Sequence, residues 1–446
     1  MGQMCINAAI TWRRSFYQRQ MKKQTDVTTT YTNGSSSDES SYQWYILTAA
    51  FFVAVYAVGV VHYGFTAIFK PIADELNWTY TQVSLAASLR GMEMGLLAPV
   101  IGIIVDRWPT RKIILSGSII LFVGFVILSR CENLATFYFA FILVALGMSC
   151  SSMTVLMSAV MRWFPRKRGL ASGIAVSGFG ASGIMIPFIV YLVQTFGWRT
   201  AVVMLGVGAV VFIGSLSFVF KERAPSSGNA KDDKKTDGKP RSPKASPQSV
   251  TYFMAKREFW HIAVAFMFNS LMISTVATHI MPYLINVKVD VAMASIIAPG
   301  IPLFSIVGRI VFGWMADRTS LVTMSVVSFI LMGLGVLCLA GIVVANMWLL
   351  SLFVLLFGVG YGGGISLRPM LLAHYFGTVS FGTVFGLTLG VNMIGVIFGA
   401  PFAGCVFDFL HTYRPVWFVF VFMCLAAALS IYTIPTAAHK KTEGVI

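Results

Sequence analysis

An α-helix needs about 20 consecutive apolar residues to cross the hydrocarbon of a bilayer, and this sequence contains a dozen such runs. They fall roughly at 44–69, 82–105, 112–130, 134–161, 169–195, 198–220, 259–286, 291–315, 320–344, 347–375, 381–409 and 416–434. Nothing else constrains the fold as strongly, because every run must find a place away from water. Membrane strands are excluded by pattern: barrel segments alternate apolar and polar residues over about ten positions, and these runs do not. Only 11% of the 446 residues are charged and mean hydropathy is +0.77, against roughly a quarter charged in a water-soluble domain. The expectation is an all-α polytopic membrane protein with 12 transmembrane helices.

The formal net charge of +16 invites a nucleic-acid partner, but its placement argues for topology instead. With a cytoplasmic N-terminus and alternating helices, Arg13, Arg14, Arg19, Lys22, Lys23, Arg107, Arg111, Lys112, Arg162, Arg166, Lys167 and Arg168 share the cytoplasmic side. The basic run from Lys221 to Arg257 joins them, whereas the opposite side keeps only Lys70, Arg130, Arg199, Lys288 and Arg414. That asymmetry is the positive-inside rule. It places both termini in the cytoplasm of a multi-pass protein of the cell (plasma or inner) membrane, with the lipid bilayer and not nucleic acid as partner.

Cysteine adds little: Cys150, Cys338, Cys405 and Cys424 lie in apolar runs, and no pair has metal or redox spacing. No nucleophile–base pair or phosphate loop appears, so neither an enzyme nor a cofactor nor a metal is expected. The first run starts too far in for a signal peptide, and Ile6 stands where an acylation signal wants Ser or Thr. Asn77-Trp78-Thr79 is a glycosylation sequon in the expected first outer loop.

Between the sixth and seventh runs lies KERAPSSGNAKDDKKTDGKPRSPKASPQS, which has too little apolar surface to fold by itself. The expected organisation is a tail at 1–43, a six-helix bundle at 44–220, a flexible linker at 221–258, a second bundle at 259–434 and a tail at 435–446. The bundles are repeats. GIIVDR from Gly102 returns as GWMADR from Gly313, an offset of 211, and Trp163-Phe164 returns as Tyr375-Phe376, an offset of 212, each followed by a Gly-rich helix. Repeats with a site at their interface are a transporter architecture.

The pattern GxxxDRxxxRK, here Gly102, Asp106, Arg107, Arg111 and Lys112, resembles the loop signature of the major facilitator superfamily, with a weaker copy at Gly313, Asp317 and Arg318. The resemblance spans all twelve runs. Within the superfamily, RWFPRKRGLASGIAVSGFGASG, HYGFTAIFKPIADELNW and HIMPYL look like the monocarboxylate transporter and oxalate–formate antiporter branch. It implies the major facilitator fold and a small organic anion as substrate. An arginine four residues before the motif glycine of helix eight is a family feature, matched by Arg309. Animal monocarboxylate carriers place an aspartate one turn before it, where this chain has Ser305, and a lysine near the end of helix one, where it has His62-Tyr63. Oxalate–formate carriers have a lysine in helix eleven, and none lies between Gly382 and Phe409. Neither coupling scheme carries over intact.

Away from the run ends, the ionisable residues are Arg90, Glu93, His279, Arg309 and Arg368, with His62 near a helix end. Each costs about 2.5–3.5 kcal/mol at a helix centre, so each needs a reason. Arg90 and Glu93 are three apart and can compensate each other; Glu93 is otherwise a candidate carrier of a coupling proton. Arg309 and Arg368 lack a nearby carboxylate in sequence and suit a bidentate carboxylate ligand. The competing readings are a cross-bundle pair of Arg309 with Glu93 and a snorkelling Arg368. His279 precedes Pro282, which is expected to break or kink its helix; it is read as a substrate or proton contact, or as a plain core histidine. Tyr361, Asn392 and Tyr63 complete the candidate substrate contacts. Asp106 and Asp317 can close the cytoplasmic side by pairing with arginines or with a helix N-terminus of the other half, or can merely anchor helix ends.

The residues point to alternating-access transport of a small organic anion such as a lactate- or pyruvate-like monocarboxylate, by proton symport or anion exchange. A multidrug exporter and a non-transporting membrane sensor are the alternatives.

Overall fold

The computed structural model describes residues 41–221, 248–342 and 346–434. The expected tails at 1–43 and 435–446, apart from 41–43, and linker residues 222–247 lie outside them, as do the side chains at 63, 66, 80–81, 84–94 and several positions between 291 and 298. Packing separates Met1–Ile46 from Leu47–Ile446. The described residues 41–46 of the first unit are helical.

The second unit is built from helices, with no strand among the described residues. They are α1 (residues 47–76, with a π turn at Gly59–Tyr63), α2 (Tyr80–Arg107), α3 (Thr110–Ser129), α4 (Leu134–Trp163), α5 (Arg168–Ser217), α6 (Arg257–Asn286), α7 (Val291–Ala316), α8 (Leu321–Gly341), α9 (Met347–Phe376), α10 (Phe381–Leu410) and α11 (Arg414–Tyr432). In hydrocarbon every backbone polar group must be satisfied within the segment, which is why apolar runs become helices and nothing else. Starts are set by side-chain caps. Thr79 and Gln82 form a reciprocal box at α2 (2.9 and 3.2 Å), and Asn133 and Asn346 cap α4 and α9.

Among the described residues, ten helices are long and apolar enough to cross a membrane. The 50-residue α5 would measure about 75 Å at 1.5 Å per residue, over twice the hydrocarbon thickness. It is interrupted at Gly197 (φ 76°, ψ 157°), between the fifth and sixth runs read from the sequence. Many side chains of the 28-residue α2 lie outside the described residues, so α2 is not counted among the ten.

Two further differences matter. The run expected as one helix at 134–161 is broken: Leu134–Ser149 ends, Cys150 to Ser152 turn, and Met153–Trp163 begins afresh. The expected linker is also folded at its C-terminal end. Val250–Met254 forms a short helix whose Phe253 is fully buried against Phe376 (5.6 Å between ring centroids), and Gln248 N–H donates to Ser380 Oγ at 2.8 Å. The apolar VTYFM segment supplies the burial that the preceding polar stretch cannot.

Helices from the two sides of the linker cross closely at two places, α2 on α10 and α5 on α7. At these crossings Gly102 faces the carbonyl of Gly382, and Gly169 faces that of Gly313. Small residues permit such approach in lipid, where apolar surface gives no hydrophobic drive. A Cβ at Gly102 would overlap the Gly382 oxygen. Gly102→Val is therefore expected to cost about 1–3 kcal/mol of stability, seen as an earlier loss of the monodisperse peak after heating in detergent.

Candidate functional site

A cavity of about 600 Å³ is lined by α1, α2, α4, α5, α6, α7, α9 and α10. Its wall is largely apolar, with Met148, Met153, Phe179, Ile273, Ile365, Leu389 and Met393 among the contributors. Into this wall are set Arg309, Arg368, Tyr361, His62, Asn269, Asn392 and a series of Ser and Thr residues; no carboxylate lines it among the described residues. A second cavity of about 790 Å³ beside Asp317 mixes that acid with Arg166, Arg168 and His374. The first is the better candidate, because buried polar atoms without partners gather on its wall.

Arg309 is 5% exposed, and its Nη1 donates to the Val176 carbonyl of α5 at 3.0 Å. Gly180 leaves the space: a Cβ there would sit 2.6 Å from Nη1. The guanidinium also lies 5.9 Å from the ring of Tyr361. Arg368 is 8% exposed, flanked by the rings of Phe266 (5.7 Å) and Phe385 (5.3 Å). Its Nη2 reaches only the Met153 sulfur at 3.9 Å, and its buried Nε has no partner. Both amide atoms of Asn392, Oγ of Ser152 and Oγ1 of Thr154 are also buried without partners. A buried polar group left so costs about 1–3 kcal/mol, and such a cluster is a reasonable place to look for a ligand.

Arg309, Arg368, Tyr361 and Asn392, four of the substrate contacts expected from sequence, thus meet on one cavity. His279 does not join them. One ring nitrogen bonds the Ala400 carbonyl (2.9 Å) and the other the Tyr413 hydroxyl (3.2 Å), away from the cavity lining. Of the break or kink expected at Pro282, the break is absent: α6 continues to Asn286, since neighbouring helices and side chains can satisfy a proline-freed carbonyl within a membrane. The Tyr63, Arg90 and Glu93 side chains lie outside the described residues. Sequence reading missed Ser152 and Thr154 with the α4 break, and the polar stripe Ser270, Ser274, Thr278 of α6. The stripe was legible, since a four-residue spacing keeps it on one helix face.

At one end of the molecule two carboxylates cap helices across the halves. Asp106 Oδ1 and Oδ2 accept from Gly382 N–H (2.9 Å) and Thr383 N–H (2.6 Å) at the start of α10. Asp317 Oδ1 and Oδ2 accept from Gly169 N–H (2.7 Å) and Leu170 N–H (2.9 Å) at the start of α5. Each places negative charge on the positive end of a helix dipole. Arg162 adds an ion pair to Asp106 at 3.2 Å; the residue 212 positions later is His374. Arg107, Arg111 and Arg318 are exposed, and the last two lie over the rings of Phe218 and Trp314, each at 4.0 Å.

The profile of the Major Facilitator Superfamily matches residues 46–319 and 280–445. The chain is similar to Monocarboxylate transporter 12 of Mus musculus, 25% identical over 438 residues, covering 92% of this chain and 89% of that protein. It is similar as well to the uncharacterized MFS-type transporter YcxA of Bacillus subtilis (strain 168), 24% identical over 412 residues and covering 87% and 94% of the two chains. Among solved structures, the human organic anion transporter MFSD10 (TETRAN) superposes with a TM-score of 0.66 at 12% identity, covering 87% of this chain and 99% of that one. FucP in the outward conformation superposes with a TM-score of 0.65 at 15% identity, covering 88% and 100%. Those likenesses establish the fold.

Proposed function

For a chain that belongs to the Major Facilitator Superfamily, we propose secondary transport of a small organic anion, probed first with monocarboxylates, through the cavity lined by Arg309 and Arg368. Two buried guanidiniums on one cavity wall, of which Arg368 meets no oxygen acceptor among the described residues, carry this proposal. Charges at such depth are expensive unless paired, and the planar fork of arginine holds a carboxylate through two parallel hydrogen bonds. The relationship to Monocarboxylate transporter 12 supports a carboxylate as the anionic group.

The Asp106 and Asp317 contacts act as latches that hold one face shut. By the positive-inside rule that face is cytoplasmic, so the latched form opens outward, in a cell membrane with both termini inside. Alternating access follows when the latches release and the halves rock. Proton symport or anion exchange drives the cycle.

The test is uptake of radiolabelled lactate, pyruvate, formate and oxalate into proteoliposomes, with and without an inward proton gradient, for wild type and Arg309→Lys. Wild type is expected to accumulate at least one acid, and the lysine variant at least tenfold less, since an ammonium lacks the bidentate geometry. A gradient response identifies symport. Failure of all four acids, or full activity of the lysine variant, would return the hydrophobic-compound exporter as the reading to test.

A further inference from the structure

We infer that the carboxylate of the transported anion seats at the break in α4, a site built from the N-terminus of Met153–Trp163, Ser152, Thr154 and Arg368; this rests on the anion-transport reading above. The break is electrically one-sided. The carbonyls of Met148 and Ser149, at the end of the first half-helix, are taken up by the N–H groups of Ser151 (2.8 Å) and Ser152 (3.2 Å). Two acceptors of that negative pole are thereby satisfied within the turn, whereas the positive pole of the second half receives no side-chain cap. Ser152 occupies the N-cap position, yet its side chain makes no capping bond, so the first-turn N–H groups, which have no intrahelical partner, receive nothing from it.

Three side chains reinforce that polarity from the cavity wall. Thr154 is fully buried and its Oγ1 has no partner; Ser152 Oγ is in the same condition. Arg368 arrives from α9 beside Met153, held between Phe266 and Phe385 with Nε unpartnered. Two hydroxyls free to donate, a guanidinium N–H and a helix N-terminus together suit one compact oxyanion. A cation would be repelled by the guanidinium and the helix N-terminus. Half-helix N-termini aimed at an anionic group are a recurrent device at the midplane of transporters. Arg309, whose Nη1 is bonded to α5, contributes charge to the same cavity. The apolar body of the substrate then rests on Met148, Met153 and Leu389.

A tethered carboxylate provides the test. Aspartate is a favoured N-cap and its charge suits a helix N-terminus, so Ser152→Asp is expected to fold with an unchanged or higher melting temperature in detergent. It should nevertheless lose at least about fiftyfold in uptake of the radiolabelled acids, because its own carboxylate fills the seat. Ser152→Asn caps equally well without charge, and is expected to retain at least tenfold more uptake than Ser152→Asp. Thr154→Val, nearly isosteric, should raise the half-saturating acid concentration about tenfold, as expected for one hydrogen bond to a charged group. Uptake by Ser152→Asp at the wild-type level overturns the seat while leaving the anion reading intact. Should Ser152→Asp misfold, an unchanged half-saturation in Thr154→Val overturns it alone. A wild type inert toward all four acids removes both readings.

Discussion

Arg368→Met is expected to abolish anion uptake, by at least a hundredfold, and at the same time to stabilise the protein. The two effects share one cause. Arg368 is 8% exposed, and its nearest polar contacts are a thioether and two aromatic rings. A guanidinium in that position is desolvated without an oxygen acceptor among the described residues. Replacing a buried ionic group with an apolar one of similar volume is often neutral or favourable by about 1–4 kcal/mol, and methionine fits gaps of this shape. Uptake in proteoliposomes and thermal unfolding in detergent check the pair of outcomes. Loss of stability instead would mean that the ring contacts hold Arg368 as a structural element, and that the cost of burying its charge is already met.

The second large effect is expected at the latches. Each aspartate uses both oxygens, one per backbone N–H. Asparagine keeps one acceptor and turns an NH2 toward the other N–H, so donor meets donor. Charge-assisted bonds contribute about 1.5–3 kcal/mol each, and the loss of charge at the helix end adds to that. Asp106→Asn combined with Asp317→Asn should therefore shift the balance toward opening at that face by several kcal/mol. The readout is alkylation of Ser274→Cys, on the cavity wall, in a background with the native cysteines replaced. With an impermeant maleimide added at the Asp106 face, the rate should rise at least a hundredfold. An unchanged rate would reduce both carboxylates to anchors of helix ends.

Hydropathy was enough to read the class of fold here, because a bilayer allows helices and little else to a run such as 320–344. The repeat was equally plain: GIIVDR and GWMADR, 211 residues apart, stand at the two carboxylate contacts. Azimuth was not legible. His279 and Arg309 look alike as lone ionisable residues in apolar runs, yet one is bonded to Ala400 and Tyr413 and the other faces the cavity. Which side of a helix faces which neighbour depends on packing partners far away in sequence. The break at Cys150–Ser152 was hidden for another reason. GMSCSSM is small and weakly polar, with no proline to announce an interruption, and hydropathy reports burial without reporting which backbone bonds are made. Pro282 shows the converse, since a proline in the sequence does not by itself distinguish a break from a helix that continues through it with the lost bond met by neighbours.

If the Asp106 and Asp317 contacts act as latches, their strength also bounds how fast they can release. Four backbone N–H groups hold two carboxylates, and net of the water that replaces them each bond is worth about 1.5–3 kcal/mol. Releasing all four in one event would then cost about 6–12 kcal/mol. Even the upper figure, entered as an activation barrier, permits about 10⁴ openings per second at 25 °C. Bonds of this strength define a closed face sharply, yet leave the speed of a cycle to the slower rearrangement of the packed helices themselves.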